Sequence, residues 1–247
     1  MKNLIVDIGN TRVKLAVMRG SDVLCGATFG DLDGGALEWV SSQDAISRAI
    51  ISSTRGDAAE FVEFVEFVRS QVDDVVIFDQ STPVPIAVSY ATPETLGRDR
   101  LAAAVGAWSE YGESADSLLI VDLGSAITID VVTRDGGFEG GVISPGVAMR
   151  FRALHEFTAS LPLCEATDEV VELPRSTQDA IQQGVMDGVA MEIDGYIDRA
   201  NKKTKKNLVI FAGGDAKKLA KRIKNTIFAE RELVSLGLNR ILEYNAK

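Results

Sequence analysis

Two aspartates in this 247-residue chain lie where chemistry could occur, each after an apolar run and two positions before a glycine. Asp7 begins the stretch DIGNTRVK, and Asp122 begins the stretch DLGSAITID, 115 residues further along. A strand buried on both faces is a rigid support that would hold each carboxylate at the mouth of a cleft. Glycine lacks the Cβ atom that would block a ligand, so nearby backbone N–H groups can approach phosphate oxygens.

The chemistry that these turns could perform is phosphate binding assisted by a metal ion. A carboxylate does not bind phosphate itself, but it can hold Mg²⁺ or its waters, which bridge phosphates. A third turn, AGGDA at 212–216, follows an apolar run, begins a helix and leaves room for a flat nucleoside. One strand–Asp–Gly turn is common in proteins of many functions, whereas three in order indicate a nucleotide site.

The stretch GRDR, residues 97–100, places charged side chains at the start of a helix predicted at 98–108. Asp99 is either an ordinary first-turn acid, favoured by the helix dipole, or a base that accepts the proton of an acceptor hydroxyl. Phosphoryl transfer depends chiefly on positioning and charge stabilisation, so such a base would mainly orient the nucleophile. Arg100 either contacts substrate oxygens through its fork of donors or forms a surface salt bridge.

Patterns in the second half have both functional and structural interpretations. Thr177, which follows Ser176 and precedes QDAI, is typical of a helix N-cap. His155 is the only histidine, which excludes a metal site built from several histidines, and we expect it at a helix surface. An apolar stripe at spacing four indicates core or a dimer interface, and we favour the interface: Ile181, Val185, Val189, Ile193 and Ile197.

The elements that must position these residues form a pattern that occurs twice. The first half predicts, in chain order, strands at 4–7, 13–18 and 23–29, a helix at 57–70, a strand at 75–79 and the helix at 98–108. The second half restarts with strand, turn and strand within 118–132, then a glycine-rich segment, a helix at about 178–199 and a strand before AGGDA. Such a duplication predicts an α/β protein of two similar lobes, 1–112 and 113–247, with a cleft between them.

Composition narrows the choice of partners and compartment. The net charge is −10 and the pI is about 4.7, which argues against nucleic acid or an anionic membrane as a partner. Cys25 and Cys164 are the only cysteines and form no disulfide framework, which fits a reducing cytoplasm. The sequence has neither the apolar segment of a signal peptide nor that of a membrane helix, so we expect a cytoplasmic protein.

Seven motifs in sequence resemble those of type III pantothenate kinases, within the actin, sugar-kinase and heat-shock ATPase superfamily. They are DIGNTRVK, YATPETLGRDR, DLGSAITID, GGVISPG, LHEFTASLP, STQDAIQQG and AGGDA. The resemblance covers nearly the whole chain. It implies two lobes of a duplicated ribonuclease H-like, actin-like ATPase fold. It also implies ATP-dependent phosphorylation of pantothenate to 4′-phosphopantothenate, the first step of coenzyme A biosynthesis.

The resemblance also implies roles for individual residues. Asp99 would be the catalytic base. ATP would bind at Asp7, Ile8, Gly9, Asn10, Thr11, Arg12, Val13, Lys14 and Ser125. Pantothenate would bind at Tyr90, Gly97, Arg98, Asp99, Arg100 and Thr177, the last reaching in from the neighbouring part of a homodimer. The family has threonine where this chain has Ser125, which keeps the hydroxyl and loses a methyl group.

Two cations follow from the same resemblance. Asp7 would organise Mg²⁺ through water, and Asp122 would bind a monovalent cation, K⁺ or NH₄⁺. One carboxylate with neighbouring carbonyls is a reasonable ligand set for K⁺. Whether Lys14 reaches a phosphate or only ends the sheet is open, and Asp130 has no assigned role.

Two alternatives to a pantothenate kinase stay open. The first is an ATP-binding pseudo-kinase that regulates other proteins, against which the intact Asp7, Asp99 and Arg100 argue. The second is another phosphotransferase, such as a sugar kinase or a polyphosphate-type phosphatase. Those proteins are usually longer and have a larger substrate-binding insertion.

Overall fold

A computed structural model describes residues 1–55, 59–135, 137–204, 206–225, 227–229 and 232–246. The chain divides into two compact units. Unit 1 comprises Met1–Tyr111, Gly136–Phe138 and Glu232–Lys247, and unit 2 comprises Gly112–Asp135 and Glu139–Arg231. The C-terminal helix therefore belongs to unit 1, although it follows unit 2 in the chain. The lobe boundaries expected from the sequence stay a prediction.

Unit 1 is built on a five-stranded sheet with helices on both faces. Its elements are β1 (Lys2–Ile8), β2 (Val13–Arg19), β3 (Asp22–Phe29), α1 (Gly34–Ser41), β4 (Ile46–Ser53), α2 (Ala59–Gln71), β5 (Asp74–Ile77) and α3 (Arg98–Tyr111). The strand order is β3-β2-β1-β4-β5, with β2 antiparallel and β4 parallel to β1. A short 3₁₀ turn, Pro93–Thr95, lies before α3, and the C-terminal helix described below also packs here.

Unit 2 repeats this sheet. Its elements are β6 (Ser117–Leu123), β7 (Ala126–Thr133), β8 (Gly137–Pro145), α4 (Val147–Glu156), α5 (Thr177–Asn201), β9 (Asn207–Ala212), α6 (Ala216–Ala220) and β10 (Phe228–Ala229), followed in unit 1 by α7 (Leu233–Tyr244). The first two residues of β8 belong to unit 1. The order is β10-β9-β6-β7-β8, which is the order of unit 1 with β6 in the place of β1 and β9 in the place of β4. The antiparallel β6–β7 pair and the parallel β6–β9 pair also match. The predicted duplication is confirmed.

The central strand β1 is a rigid support because both of its faces are buried. Leu4 and Val6 pack on one face with Phe64 and Val68 of α2. Ile5 packs on the other face in a cluster that includes residues of α3 and α7. This two-sided burial explains why the strand is a continuous apolar run. It also fixes the position of Asp7, which is partly exposed and is the second-to-last residue of the strand.

In unit 2 the long helix α5 covers the sheet with the apolar stripe recognised in the sequence. All five stripe residues lie in the hydrophobic core with Leu119 and Val121 of β6. Val189, Ile193 and Ile197 are 0% exposed. The interpretation of this stripe as a dimer interface is therefore wrong. Spacing alone could not separate the two cases, since both require one apolar face.

Several elements differ from the sequence-based expectation. The helix predicted at 57–70 begins, within the described residues, at Ala59, and Asp57 lies outside them. Strands β4 and β8 and helices α1, α4 and α7 have no counterpart in the prediction. β8 was overlooked because Gly137, Gly140 and Gly141 are unusual in strands. Within the described ranges, no helix combines the length and apolar character needed to cross a bilayer.

Candidate functional site

The turn between β1 and β2, residues Gly9–Arg12, is called the phosphate loop below. Its flanking strands pair in register, with Asp7 opposite Lys14. The Gly9 N–H donates to the Arg12 carbonyl at 2.9 Å and closes the turn. The side chains of Asn10, Thr11 and Arg12 are exposed. The turn thus presents polar groups at the end of a buried strand, as its sequence predicts.

Two of the predicted ATP-binding residues can contribute only their backbone. Ile8 and Val13 are 1% and 0% exposed, and their side chains belong to the core of unit 1. Lys14, by contrast, is exposed on the sheet beside Asp7. These two apolar residues anchor the phosphate loop, while the polar residues between them remain accessible.

The segment after β4 supports the phosphate loop, and sequence reasoning overlooked it. The Thr54 N–H donates to the Ile8 carbonyl at 2.9 Å. The Arg55 Nε donates to the Gly9 carbonyl at 2.7 Å. The sequence contained a signal for this segment. In AIISSTR an apolar run ends in polar residues, just as the apolar run at 4–6 ends in DIGNTR. The carboxyl ends of parallel neighbours β1 and β4 meet at one edge of the sheet.

Arg55 also contacts the loop between β3 and α1. Its Nη1 lies 2.6 Å from Asp31 Oδ1, and its Nη2 donates to the Gly30 carbonyl at 3.3 Å. Two hydrogen bonds lower the pKa of Asp31 below its ordinary value. The larger effect comes from the Leu32 N–H and the smaller one from the Arg55 guanidinium. Asp31 is therefore ionised at neutral pH and carries the negative charge of this ion pair.

Asp99 lies in the first turn of α3 and is partly exposed, as a base for a bound acceptor must be. Its Oδ1 accepts a hydrogen bond from the Arg100 N–H at 2.9 Å. A Cβ atom at Gly97 would lie only 2.6 Å from that same oxygen. Glycine at 97 thus leaves the space that the carboxylate occupies.

Arg100 is buried, which excludes the surface salt bridge considered from the sequence. It is 6% exposed, and its guanidinium lies 5.7 Å from the Tyr90 ring centre and 5.6 Å from that of Phe138. The two rings meet edge to face, with centroids 5.9 Å apart. Cation–π contacts of this kind fix the orientation of a guanidinium.

Phe138 completes this cluster but was not predicted. It is 0% exposed, and its N–H donates to the Ala87 carbonyl at 2.9 Å. In return, the Ser89 N–H donates to the Phe138 carbonyl at 2.9 Å. Phe138 lies in a glycine-rich stretch and is more than thirty positions from Ala87, Ser89 and Arg100 in the sequence. No local sequence pattern therefore indicates these contacts.

The end of β4 connects the phosphate loop with the acceptor side of unit 1. Arg98, the first residue of α3, donates from Nη2 to the Ser53 carbonyl at 3.1 Å. The Ser53 hydroxyl accepts the Arg55 N–H at 3.1 Å. One short segment therefore contacts both groups of predicted site residues. Unit 1 brings together the Asp7–Lys14 hairpin and the Tyr90, Gly97–Arg100 cluster around this segment.

Unit 2 places Asp122 at the position that Asp7 has in unit 1. Asp122 pairs with Thr128 of β7 and with Ala212 of β9. Gly213, with φ +89°, follows β9 and lies close to Asp122. A Cβ atom at Gly213 would be 2.5 Å from Asp122 Oδ1 and from the Leu123 carbonyl oxygen. A residue with a side chain would therefore displace the carboxylate.

Ser125 lies in the turn that follows Asp122 and is exposed. The Gly124 N–H donates to the Ala126 carbonyl at 3.2 Å, and the Gly146 N–H donates to the Ser125 carbonyl at 3.2 Å. This turn is thus fixed against the N-terminus of α4. Asp130, in contrast, is 2% exposed, and a Cβ at Gly141 of β8 would overlap its Oδ1.

Thr177 is the first residue of α5 but does not cap it. The cap is Ser176, whose Oγ accepts the Asp179 N–H at 3.1 Å. The N-cap interpretation of Thr177 is therefore wrong, and its exposed hydroxyl is not used for capping. Thr177 belongs to unit 2, whereas the other predicted pantothenate residues belong to unit 1. His155 is exposed near the end of α4, as expected.

The residues around Asp7 include a polar group suited to metal binding. Ser52 of β4 pairs in register with Asp7, and its Oγ is buried without a hydrogen-bond partner. A polar atom of this kind beside a carboxylate suits a hydrated cation. Among the described residues, no three His, Cys, Asp or Glu side chains form a ligand cluster. The arrangement fits Mg²⁺ held through water better than a fully protein-ligated ion.

Comparison with known proteins gives a consistent family. The family model described as type III pantothenate kinase matches residues 3–199. A type III pantothenate kinase of Porphyromonas gingivalis is 42% identical over 246 residues, covering 98% of both chains.

Solved structures are similar along the whole chain. A Baf family transcriptional activator of Campylobacter jejuni superposes with a TM-score of 0.63 at 20% identity, covering 98% of both chains. The activator of a 2-hydroxyisocaproyl-CoA dehydratase from Clostridium difficile, solved with ADPNP, superposes with a TM-score of 0.56 at 12% identity, covering 98% of this chain and 95% of the other. At such identities these structures bear on the fold alone.

Proposed function

The chain belongs to the type III pantothenate kinase family, and from that premise we propose which of its residues perform each part of the reaction. The reaction transfers the γ-phosphoryl group of ATP to pantothenate, giving 4′-phosphopantothenate in coenzyme A biosynthesis. One observation carries the assignment. The two sheets have the same strand order, and each places an aspartate and a glycine turn at the end of its central strand.

ATP phosphates bind at the phosphate loop of unit 1. The supporting observation is that Asn10, Thr11 and Arg12 are exposed on a turn whose ends are anchored in the core. Asp7, beside the unpartnered hydroxyl of Ser52, would hold Mg²⁺ through its waters. When bound, the ion supplies positive charge that screens the phosphates and favours the departing diphosphate.

Pantothenate is held by unit 1 near the start of α3. Arg100, oriented by Tyr90 and Phe138, binds acceptor oxygens, and Gly97 lets the acceptor approach the backbone. Asp99 accepts the proton of the primary hydroxyl. The hydroxyl oxygen forms a bond with the γ-phosphorus while the bond from that phosphorus to the ADP oxygen breaks. Orientation of the nucleophile is the main effect, since a loose transition state needs little deprotonation.

Asp122, the counterpart of Asp7 in unit 2, binds a monovalent cation instead of Mg²⁺. Asp122 with nearby carbonyl oxygens, such as that of Leu123, forms a set of oxygen donors suited to a monovalent cation, K⁺ or NH₄⁺. The exposed hydroxyl of Ser125 donates to a phosphate oxygen. A serine preserves this hydrogen bond where the family has threonine.

The protein acts as a homodimer in the cytoplasm. Opposite the buried stripe of α5, Gly184, Gly188 and Gly195 face open space, and Met191 beside them is 72% exposed. This face would pair with a second copy, whose Thr177 would complete the pantothenate site. Both cysteines are free, which suits a reducing compartment.

The cation assignment is tested by the initial rate as a function of KCl, with choline chloride keeping the ionic strength constant. We expect several-fold activation by K⁺ or NH₄⁺ and less by Na⁺, whose smaller radius suits a roomy oxygen site poorly. Asp122→Ala should lose this activation and most activity. A flat response of the wild-type enzyme would mean that Asp122 is a structural acid at a strand end.

A further inference from the structure

Arg55 joins three segments of unit 1 around the phosphate loop. Each of its guanidinium nitrogens donates to a protein oxygen: Nε to the Gly9 carbonyl at 2.7 Å, Nη1 to Asp31 at 2.6 Å, and Nη2 to the Gly30 carbonyl at 3.3 Å. Its own N–H is held by the Ser53 hydroxyl at 3.1 Å. The β3–α1 loop, the phosphate loop and the end of β4 therefore meet at one side chain.

We propose that Arg55 is a positioning residue for ATP, which fixes the phosphate loop through the Gly9 carbonyl. This inference rests on the proposed role of the loop in phosphate binding. The peptide that carries the Gly9 carbonyl also carries the Asn10 N–H, so the hydrogen bond sets the direction in which that N–H points. A loop whose backbone is already ordered in the free protein loses less conformational entropy when the nucleotide binds.

The geometry requires the planar fork of arginine. A guanidinium donates in fixed directions to two or three acceptors at once, whereas a lysine ammonium is a single flexible point charge. The Arg55 side chain is 26% exposed and its partner Asp31 63% exposed. Exposed ion pairs of this kind contribute little to global stability. The effect of removing this contact is therefore expected to appear in ATP binding rather than in the free energy of unfolding.

A matched ion pair on β4, the strand that precedes Arg55, provides a control. Arg48 lies near the beginning of β4, and its Nε is 3.2 Å from Asp74 Oδ2, with 20% and 53% of the two side chains exposed. It resembles the Arg55–Asp31 pair in chemistry and exposure. It contacts β5 instead of the phosphate loop. Arg48→Gln therefore removes a similar ion pair without affecting the loop.

The experiment measures KM for ATP, KM for pantothenate, kcat and the thermal midpoint of Arg55→Gln, Arg55→Lys and Arg48→Gln. For Arg55→Gln we expect KM for ATP to rise roughly tenfold or more, which corresponds to the loss of one or two charge-assisted hydrogen bonds. KM for pantothenate and the thermal midpoint should stay near the wild-type values. Arg55→Lys should recover little, and Arg48→Gln should resemble wild type in both constants.

Asp31→Asn separates positioning from direct contact with phosphate. If Arg55 positions the loop, weakening its ion pair should raise KM for ATP, in the same direction as Arg55→Gln. If Arg55 instead binds phosphate, releasing it from Asp31 should leave KM unchanged or lower it, which would overturn the proposal. Wild-type KM for ATP in Arg55→Gln would also overturn it.

Failure of this inference can be distinguished from failure of the proposed function. Calorimetry with Mg²⁺ and a non-hydrolysable ATP analogue measures binding without turnover, and Asp7→Asn serves as the reference. If Asp7→Asn weakens binding and Arg55→Gln does not, the loop binds phosphate and the positioning role is wrong. If neither variant weakens binding, the loop itself is not the phosphate site and both proposals are wrong.

Discussion

At the scale of single residues, the sequence indicates charged groups well and their surroundings poorly. Asp7 and Asp99 were recognisable because each lies two positions from a glycine, Asp7 at the end of an apolar run and Asp99 at the start of a helix. The burial of Arg100 was not, because Phe138 comes from a distant strand. Arg55 was overlooked since no local rule says which carbonyl a side chain will reach.

The residue whose assignment matters most is Asp99. Asp99→Asn preserves the shape and removes the proton acceptor, so kcat should fall by about 10²–10⁴, the usual range for a lost acid–base group. ATP binding should change little, because Asp99 lies at the start of α3 rather than on the phosphate loop. The measurement combines steady-state rates with calorimetry of an ATP analogue. A variant with wild-type kcat would make Asp99 an ordinary first-turn acid.

At the scale of elements, the hydrophobic pattern predicted many of the strands and helices but overlooked β4 and α7. The strands β1, β2, β6 and β9 and the helices α2, α3 and α5 were found with small differences at their ends. β8 was overlooked because of its glycines. α5 was predicted as a helix, but its apolar stripe lies in the core and not in a dimer interface. Periodicity gives the number of apolar faces, but it does not say what covers them.

The two faces of α5 should respond differently to substitution. Gly188→Arg places a long charged side chain on the open face and should shift the protein from dimer to monomer, while the buried stripe of the helix stays packed. Ile193→Ala on the buried face should lower the free energy of unfolding by about 2–5 kcal/mol, as for other buried aliphatic truncations. Sedimentation velocity and urea unfolding measure the two effects. A fully dimeric Gly188→Arg protein would place the dimer interface elsewhere.

At the scale of the whole molecule, duplication was the most predictable property. Two similar patterns of strands and an aspartate at each central strand end anticipated two sheets of one topology. The assignment of α7 to unit 1 was not anticipated, because the helix is distant in sequence from the strands and helix it contacts. Contacts between chain ends have no local signature, so only tertiary packing determines them.

Product analysis of the wild-type protein measures directly whether it phosphorylates pantothenate. Purified enzyme with Mg-ATP and K⁺ is given pantothenate, glucose or glycerol, and each mixture is analysed for ADP and phosphorylated acceptor by mass spectrometry. We expect one phosphoryl group on pantothenate for each ADP formed, and little product from the other acceptors. Equal or greater phosphorylation of glucose or glycerol, or ATP binding without transfer to any acceptor, would contradict this expectation.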